Sequence, residues 1–492
     1  GGGVALAGGT MTNKISIYGA DSLSDMISHN SAKQSGGNLA TTGSTIAIVE
    51  QLSLTNGKAE NKDGGSAYFG FQSNIHFKTI LVENSYAKRR GGGIAINSDV
   101  GKSMLVTATT GSKFVMDETS VVQNYAQDGG GLSVTGLELT IQKKQICGDG
   151  SCDRSRDAAA ASTSIIQFNR ALRGAGIFVH QSDSKKTLLK NLLVDTNCAS
   201  NDTNVLDGSV PCGPDMAIKD GYKGQGGGLY CLGGSCELTS SQFQKNRAER
   251  RGGGVVAAAR AKIQLEVTQI VENIATYGGG IATDYFFGPC DVFDSSTSDD
   301  FTSIVSSNTA IECGGNIEIQ GSLQPVYVKG YGADAASCMS ANLKRMIISH
   351  GRAKHGGGIC VPDCGARFEF LKIRNNHADY NGGGVYHTGH VVKMLSVELK
   401  NNVADSRGGG VYMEGKNSHV LGNPRFVGNR ARVAGGGAAI MSARGIDRWF
   451  PTKNGGLSHK DYCKKICMSE QMGVLEKDYK EITKASQLKP LG

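Results

Sequence analysis

The residues best suited to chemistry are the cysteines, the histidines, a few acidic residues and a recurrent set of arginines. Of thirteen cysteines, ten form close pairs inside Gly/Ser/Asp-rich turns: Cys147/Cys152, Cys198/Cys212, Cys231/Cys236, Cys360/Cys364 and Cys463/Cys467. Cys290, Cys313 and Cys338 remain as a trio. Such pairs read as short-range disulfides of an oxidising compartment, since the CxxC…CxxC spacing of a zinc site is absent. Histidines gather at His350, His355, His377, His387 and His390. Only His387 and His390, separated by Thr-Gly, are spaced as a metal pair; exposed turn histidines are the preferred reading, so no metal or other cofactor is assigned. Asp299-Asp300 has no acidic partner with which to divide acid and base roles, and reads as a solvated loop. Asn201-Asp202-Thr203 is the only glycosylation sequon.

Arginine is more suggestive. Lys88, Arg89, Arg90, Arg170, Arg173, Arg247, Arg250, Arg251, Arg352, Lys354, Arg407, Arg430 and Arg432 all lie between an Asn and a following run of glycines. In a registered stack they would line one edge, with Arg89, Arg90, Arg173, Arg250, Arg251 and Arg407 as its basic core. Asp128, Glu249, Asp379 and Asp405 would relieve the repulsion only in part. A basic edge of this kind suits an acidic polysaccharide or a neighbouring subunit, against the plainer reading of a solvated surface.

What must position these residues is a repeat. The 492-residue chain contains 70 glycines but 8 prolines and 1 tryptophan, without a Gly-X-Y period, which excludes collagen and argues against a Pro/Gly-rich disordered chain. The glycines recur as pairs or triplets whose first members are Gly36, Gly64, Gly91, Gly129, Gly174, Gly226, Gly252, Gly278, Gly314, Gly356, Gly382, Gly408 and Gly435. The base interval is 26 to 28 residues, stretched where segments near 139–165, 181–223, 284–303 and 321–345 are inserted. Ahead of the glycines stands Asn-x-Ala at Asn30, Asn124, Asn169, Asn246, Asn273, Asn308, Asn376, Asn402 and Asn429. Asn84 is one residue out of step, Asn56 is looser, and His350 takes the place in one copy. Three residues before the Asn an apolar side chain recurs, as at Ile27, Leu81, Val121, Ile166, Phe243, Ile270, Val305, Ile347, Ile373, Leu399 and Phe426.

Apolar residues alternate within the repeat, as at Ile263, Leu265 and Val267, which is a strand period. A unit of two or three short strands has no core of its own and must stack on its neighbours. The expected fold is therefore all-β, a right-handed parallel β-helix of about 13 coils spaced by about 4.8 Å, or a rod on the order of 60 Å. Asn suits a ladder at a bend because its amide both donates and accepts and tolerates left-handed backbone angles. Ala two residues later keeps the inside of the bend small, and glycine allows positive φ and close approach.

The pairing of Phe/Ile-x-x-Asn with Gly-Gly-Gly-Ile/Val over residues 1 to about 445 resembles the repeats of chlamydial polymorphic outer-membrane proteins and related β-helices of the pectin-lyase-like superfamily. The bacterial repeat usually has Gly-Gly-Ala where the third residue here is Gly. The resemblance implies the β-helix, and a family that includes adhesins, polysaccharide lyases and hydrolases, and structural rods. The galacturonan-cleaving signatures of that superfamily, Asn-Thr-Asp, a following Asp-Asp, Gly-His-Gly and Arg-Ile-Lys, do not occur as an ordered series. No catalytic residue is assigned. Residues 446–492 read as a linker and a helical cap, and the opening Gly1-Gly2-Gly3-Val4, which falls mid-repeat, suggests a mature or partial chain.

The net charge of +8 is small for this length and implies no nucleic-acid partner, and no run of 18 apolar residues occurs. The expected function is a structural or adhesive rod of an extracellular or cell-surface assembly, such as a filament, flagellar hair, sheath or adhesin segment. Its partners would be other subunits, including copies of itself. A polysaccharide-binding or polysaccharide-cleaving protein is the alternative.

Overall fold

The structure, a computed structural model, describes residues 2–7, 13–19, 26–42, 45–70, 74–97, 114–135, 139–141, 164–181, 186–200, 224–284, 290–294, 303–320, 339–362, 365–388, 391–414, 419–422 and 424–441. The described residues contain strands and no helix, and none of their segments is a helix long and apolar enough to cross a membrane. The chain is an all-β parallel solenoid divided into two compact units, Gly1–Val255 and Val256–Gly492. The expected helical cap at 446–492 lies outside the described residues.

Each unit is a stack of similar coils whose strands pair in parallel with their equivalents in the neighbouring coils. One sheet is formed by strands that follow the glycines, for example Leu132–Thr135, Ile177–His180 and Leu229–Leu232 in the first unit. A second is formed by strands that precede the Asn, such as Lys372–Arg374, Glu398–Lys400 and Arg425–Val427 in the second unit. Between Asn and Gly lies a short corner strand, as at Arg170–Ala171 and Cys198–Ala199. A fourth sheet includes Lys186–Lys190 and Ser235–Thr239. Parallel stacking with equivalents facing one another follows from the repeat itself, because identical patterns bury identical faces.

The interior is built from registered apolar columns. In the first unit Ile27, Leu54, Val82, Val121, Ile166, Val194 and Phe243 are successive register partners. In the second they are Ile270, Val305, Ile348, Ile373, Leu399 and Phe426. Two members differ from the sequence expectation: Val82 stands in place of Leu81, and Ile348 in place of Ile347. Both slips share one cause, since the corner of those coils is set by Ser85 and Gly351 rather than by Asn84 and His350. Phe69, Phe77 and Phe114 fill the first unit with ring centroids 5.4 to 6.1 Å apart. The alanines two residues past the ladder position, among them Ala59, Ala171, Ala275 and Ala378, are fully buried on the inside of the bend.

Two left-handed positions bound the corner between ladder residue and glycine run, and a third recurs earlier in the coil, as at Gln51, Asn191, Val267 and Ser396. The first glycine of all thirteen runs has positive φ, between 57° and 73°. Its Cβ would fall against the carbonyl three residues on, as at Gly226, where Leu229 O lies 2.6 Å from that point. Only glycine meets that requirement without strain. The second left-handed residue directly precedes the ladder position: His29, Asn56, Asn84, Gln123, Phe168, Thr196, Lys245, Glu272, Ser307, His350, Asn375, Asn401 and Gly428. The bend therefore falls one residue earlier than the sequence suggested, and the ladder asparagines keep negative φ. Their task is hydrogen bonding alone.

Candidate functional site: the asparagine column and the glycine edge

Turning the chain sharply at each corner strips backbone groups of their sheet partners, and a buried amide column replaces them. In the first unit Asn30 Nδ2 donates to Asn38 Oδ1 (3.1 Å), Asn38 Nδ2 to Ser66 Oγ (3.2 Å), and Ser66 and Ser85 share a hydroxyl bond (2.6 Å). Ser85 N then donates to Asn124 Oδ1. Asn124 donates to Asn169, Asn169 to Asn197 and Asn197 to Asn246, each through both its backbone N–H and its Nδ2. In the second unit the order is Asn273, Asn308, Asn316, Asn376, Asn402 and Asn429. From Asn38 onward the asparagines of the column are buried, most at 0% exposure.

Sequence reasoning placed Asn84 in this column, but Asn84 is exposed and left-handed, and Ser85 holds its place. It omitted Asn38, Ser66, Asn197 and Asn316. Asn197 carried the full signal, Asn-Cys-Ala with Val194 three residues before, hidden by the long insertion ahead of Gly226. Asn38 and Asn316 carried a subtler one. Each replaces the third glycine of its run, and in the coil that follows each the ladder position is itself a glycine, Gly57 or Gly351.

The glycine edge is the outer surface flanking each glycine run. Directly before the glycines, the first unit aligns Arg90, Asp128, Arg173, Gln225 and Arg251 as successive bridge partners, with Asp63 in the equivalent place one coil earlier. The expected stripe of like charge is thus largely a column of alternating sign. Equivalent positions lie one coil apart, so opposite charges there attract where like charges would repel. Arg173 binds Asp128 through two bonds of 2.7 and 2.8 Å, and Arg89 binds Asp63 through two of 3.3 and 3.1 Å. Burial raises the Asp63 carboxyl above its ordinary range, opposed by Arg89 and Arg90. Burial also acts against the charged Arg173, but the bond and charge of Asp128 leave its guanidinium above the usual value. Arg90 reaches Thr135 Oγ1, Arg250 is exposed, and Arg251 is buried. In the second unit the column reads Tyr277, Cys313, His355, Asn381, Arg407 and Ala434, so Arg407 is its one arginine.

Because the glycine turn carries no side chains, its flanks fold across it. Arg173 lies 5.3 Å from the Phe178 ring and 6.0 Å from that of Tyr230, and those two rings stack at 5.8 Å. His355 packs 4.6 Å from Tyr386, which stacks on Tyr412 at 5.4 Å. The Tyr412 hydroxyl donates to Glu414, and burial together with that bond pushes the phenol up to about 12. Burial, then the charge of Lys354, holds His355 below its ordinary value. Register shifts in the corner strands at Ala275/Tyr277, Thr309/Cys313 and Ala353/His355 locally re-aim these side chains.

Two disulfides are described. Cys231–Cys236 closes a turn within one coil, and Cys313–Cys360 ties adjacent coils across a glycine run, with Cα atoms 5.6 Å apart. Cys360 was expected to pair with Cys364; it is instead bonded to Cys313, 47 residues away, which parallel stacking places in the neighbouring coil. Cys198 is disulfide-bonded. Cys147, Cys152, Cys212, Cys364, Cys463, Cys467, Asn201, His390 and Asp299-Asp300 lie outside the described residues. His387 is buried in the core rather than exposed in a turn. His377, Asp379 and Asp405 present ligand atoms within 4.8 Å of one another. Arg352 donates to Asp379 and His377 contacts Asp405 at 3.2 Å, so the carboxylates already have cationic or hydrogen-bonding partners.

The chain matches no protein-family model, no curated protein and no solved structure.

Proposed function

We propose that this chain is a structural or adhesive segment of an extracellular or cell-surface assembly, built on a right-handed β-helix of the pectin-lyase-like kind with repeats akin to those of chlamydial polymorphic outer-membrane proteins. The observation that carries the reading is the buried side-chain column within each unit, asparagine throughout in the second and asparagine with Ser66 and Ser85 in the first. The asparagines that recur in the repeat are spent on joining coil to coil, and on the glycine edge Arg89 and Arg173 are committed to the carboxylates of Asp63 and Asp128. Disulfides at Cys231–Cys236 and Cys313–Cys360 suit an oxidising compartment. The partners in this reading are other subunits, including further copies of the chain.

Imaging of the full-length protein in its native setting tests the proposal. Incorporation into a polymer or surface layer is expected, and exclusively isolated monomers would overturn it. The polysaccharide-active alternative is separated by incubating the protein with acidic polysaccharides and assaying for binding and for new unsaturated or reducing ends.

A further inference from the structure

Coils built on one pattern raise a difficulty that the amide column itself resolves. Every coil offers its neighbours the same corner and the same backbone pairing, so a coil that is skipped, letting the next one stack in its place, loses little local bonding. Connection length does not forbid this: the interval from Gly314 to Gly356 is 42 residues against a base of 26 to 28, and closing a longer loop costs only logarithmically more.

The third glycine of each run and the ladder residue of the next coil compete for one volume. At Gly93, Gly131, Gly358, Gly384 and Gly410 an added Cβ would come within 3.0 to 3.2 Å of the side-chain amide of Asn124, Asn169, Asn376, Asn402 or Asn429, and within 2.8 Å of the carbonyl of the third residue in the next run. The reverse holds where the third residue is Asn. A Cβ on Gly57 would approach Asn38 Nδ2 to 2.9 Å, and one on Gly351 would fall on Asn316. Asn316 nevertheless completes the column, accepting from Asn308 Nδ2 (2.9 Å) and donating to Asn376 Oδ1 (3.0 Å). Each of these layers thus holds one amide, delivered from one of two sides. In the layer of Ser66 and Ser85 two short hydroxyls share the space.

We infer that the pairs Asn38/Gly57 and Asn316/Gly351 are registration keys that specify which coil stacks on which. If the Gly351 coil is skipped, Asn316 and Asn376 are forced into one layer. If the Asn316 coil is skipped, Gly280 meets Gly351 and Asn273 finds no amide to bond. An unkeyed Gly/Asn pair penalises neither error, because all such pairs are interchangeable. The keys therefore act against mispaired stacks rather than adding strength to the native one.

The disulfide Cys313–Cys360 joins the same two coils as the second key, and so reports on their pairing. The full chain is reduced, unfolded and refolded oxidatively, and the fraction carrying Cys313–Cys360 is read by peptide mapping. In Asn316→Gly/Gly351→Asn the amide returns to its usual side, the backbone at Gly357 O, against which the new Cβ falls, having to shift to admit it, and the correctly paired fraction is expected to fall several-fold. An unchanged paired fraction overturns the inference. Should that variant fail to fold, Gly384→Asn/Asn402→Gly takes its place as the deciding variant, because it installs a key where none exists. A paired fraction equal to or above the parent's then supports the inference, and a loss of folding or a lower fraction refutes it.

Discussion

Truncating one member of the amide column measures what holds a coil to its neighbour. Asn402 Oδ1 accepts from Asn376 N (3.0 Å) and Asn376 Nδ2 (2.9 Å), while its Nδ2 donates to Asn429 Oδ1 (3.0 Å) and Ile373 O (2.9 Å). In Asn402→Ala the Asn376 amide keeps its bond to Ile348 O, and Asn429 Oδ1 keeps the Asn402 N–H. The Asn376 backbone N–H and the Ile373 carbonyl lose their side-chain partner in a site with no solvent access. The Ile373 carbonyl keeps its sheet bond to the next coil, so the unpaired Asn376 N–H sets the cost, about 2 kcal/mol. Asn84→Gly, at an exposed left-handed position outside the column, should stay within about 0.5 kcal/mol. Urea unfolding followed by the β-sheet circular dichroism signal gives the difference, and hydrogen exchange over residues 371–381 locates it. A loss under about 1 kcal/mol with the Asn376 amide still protected would refute the reasoning, since the column would then be decoration on a stack held by its apolar interior.

Three further outcomes follow from the glycine edge. Arg173→Met keeps an apolar cover for Phe178 and Tyr230 but leaves the Asp128 carboxylate buried without its guanidinium, and should cost about 3 kcal/mol in urea unfolding; Asp128→Asn in the same background should recover part of it. Loop-closure entropy assigns about 4 kcal/mol to Cys313–Cys360 and about 2 kcal/mol to Cys231–Cys236, because the first closes 47 residues and the second 5; Cys→Ser pairs at the two sites should lower the thermal midpoint in that order. For His355 the folded pKa lies below the unfolded value of 6.5, so its contribution is present above that pH and is lost as pH falls toward and through the folded value. His355→Phe should therefore flatten the acid limb of the thermal midpoint below pH 6.5, and an acid limb as steep as the parent's would remove His355 as its cause.

Much of the architecture was legible because a solenoid has short-range rules. The glycine anchors were read correctly since a left-handed turn with a carbonyl against its Cβ position admits no other residue, and that demand recurs in every copy. Asn-x-Ala was legible for the same reason, the small Ala filling the inside of a bend. The errors at Asn84, Leu81, His350 and Ile347 have one origin: where the column is carried by Ser or by an Asn from the preceding glycine run, the motif loses its marker and a neighbouring Asn or His offers a false one. A one-residue slip then reverses which side chain faces inward, as Val82 and Ile348 show.

The repeat alone determined the strand period, the parallel stacking and the positions where only glycine or a small residue fits, since each depends on backbone geometry and local size. What the tertiary structure decided is who meets whom between coils. The pairing of Arg173 with Asp128, of Cys313 with Cys360 and of Asn316 with the empty place at Gly351 joins residues 45, 47 and 35 positions apart. Such contacts follow from stacking distance rather than sequence distance, and insertions of varying length erase the fixed interval by which a linear reading would have found them.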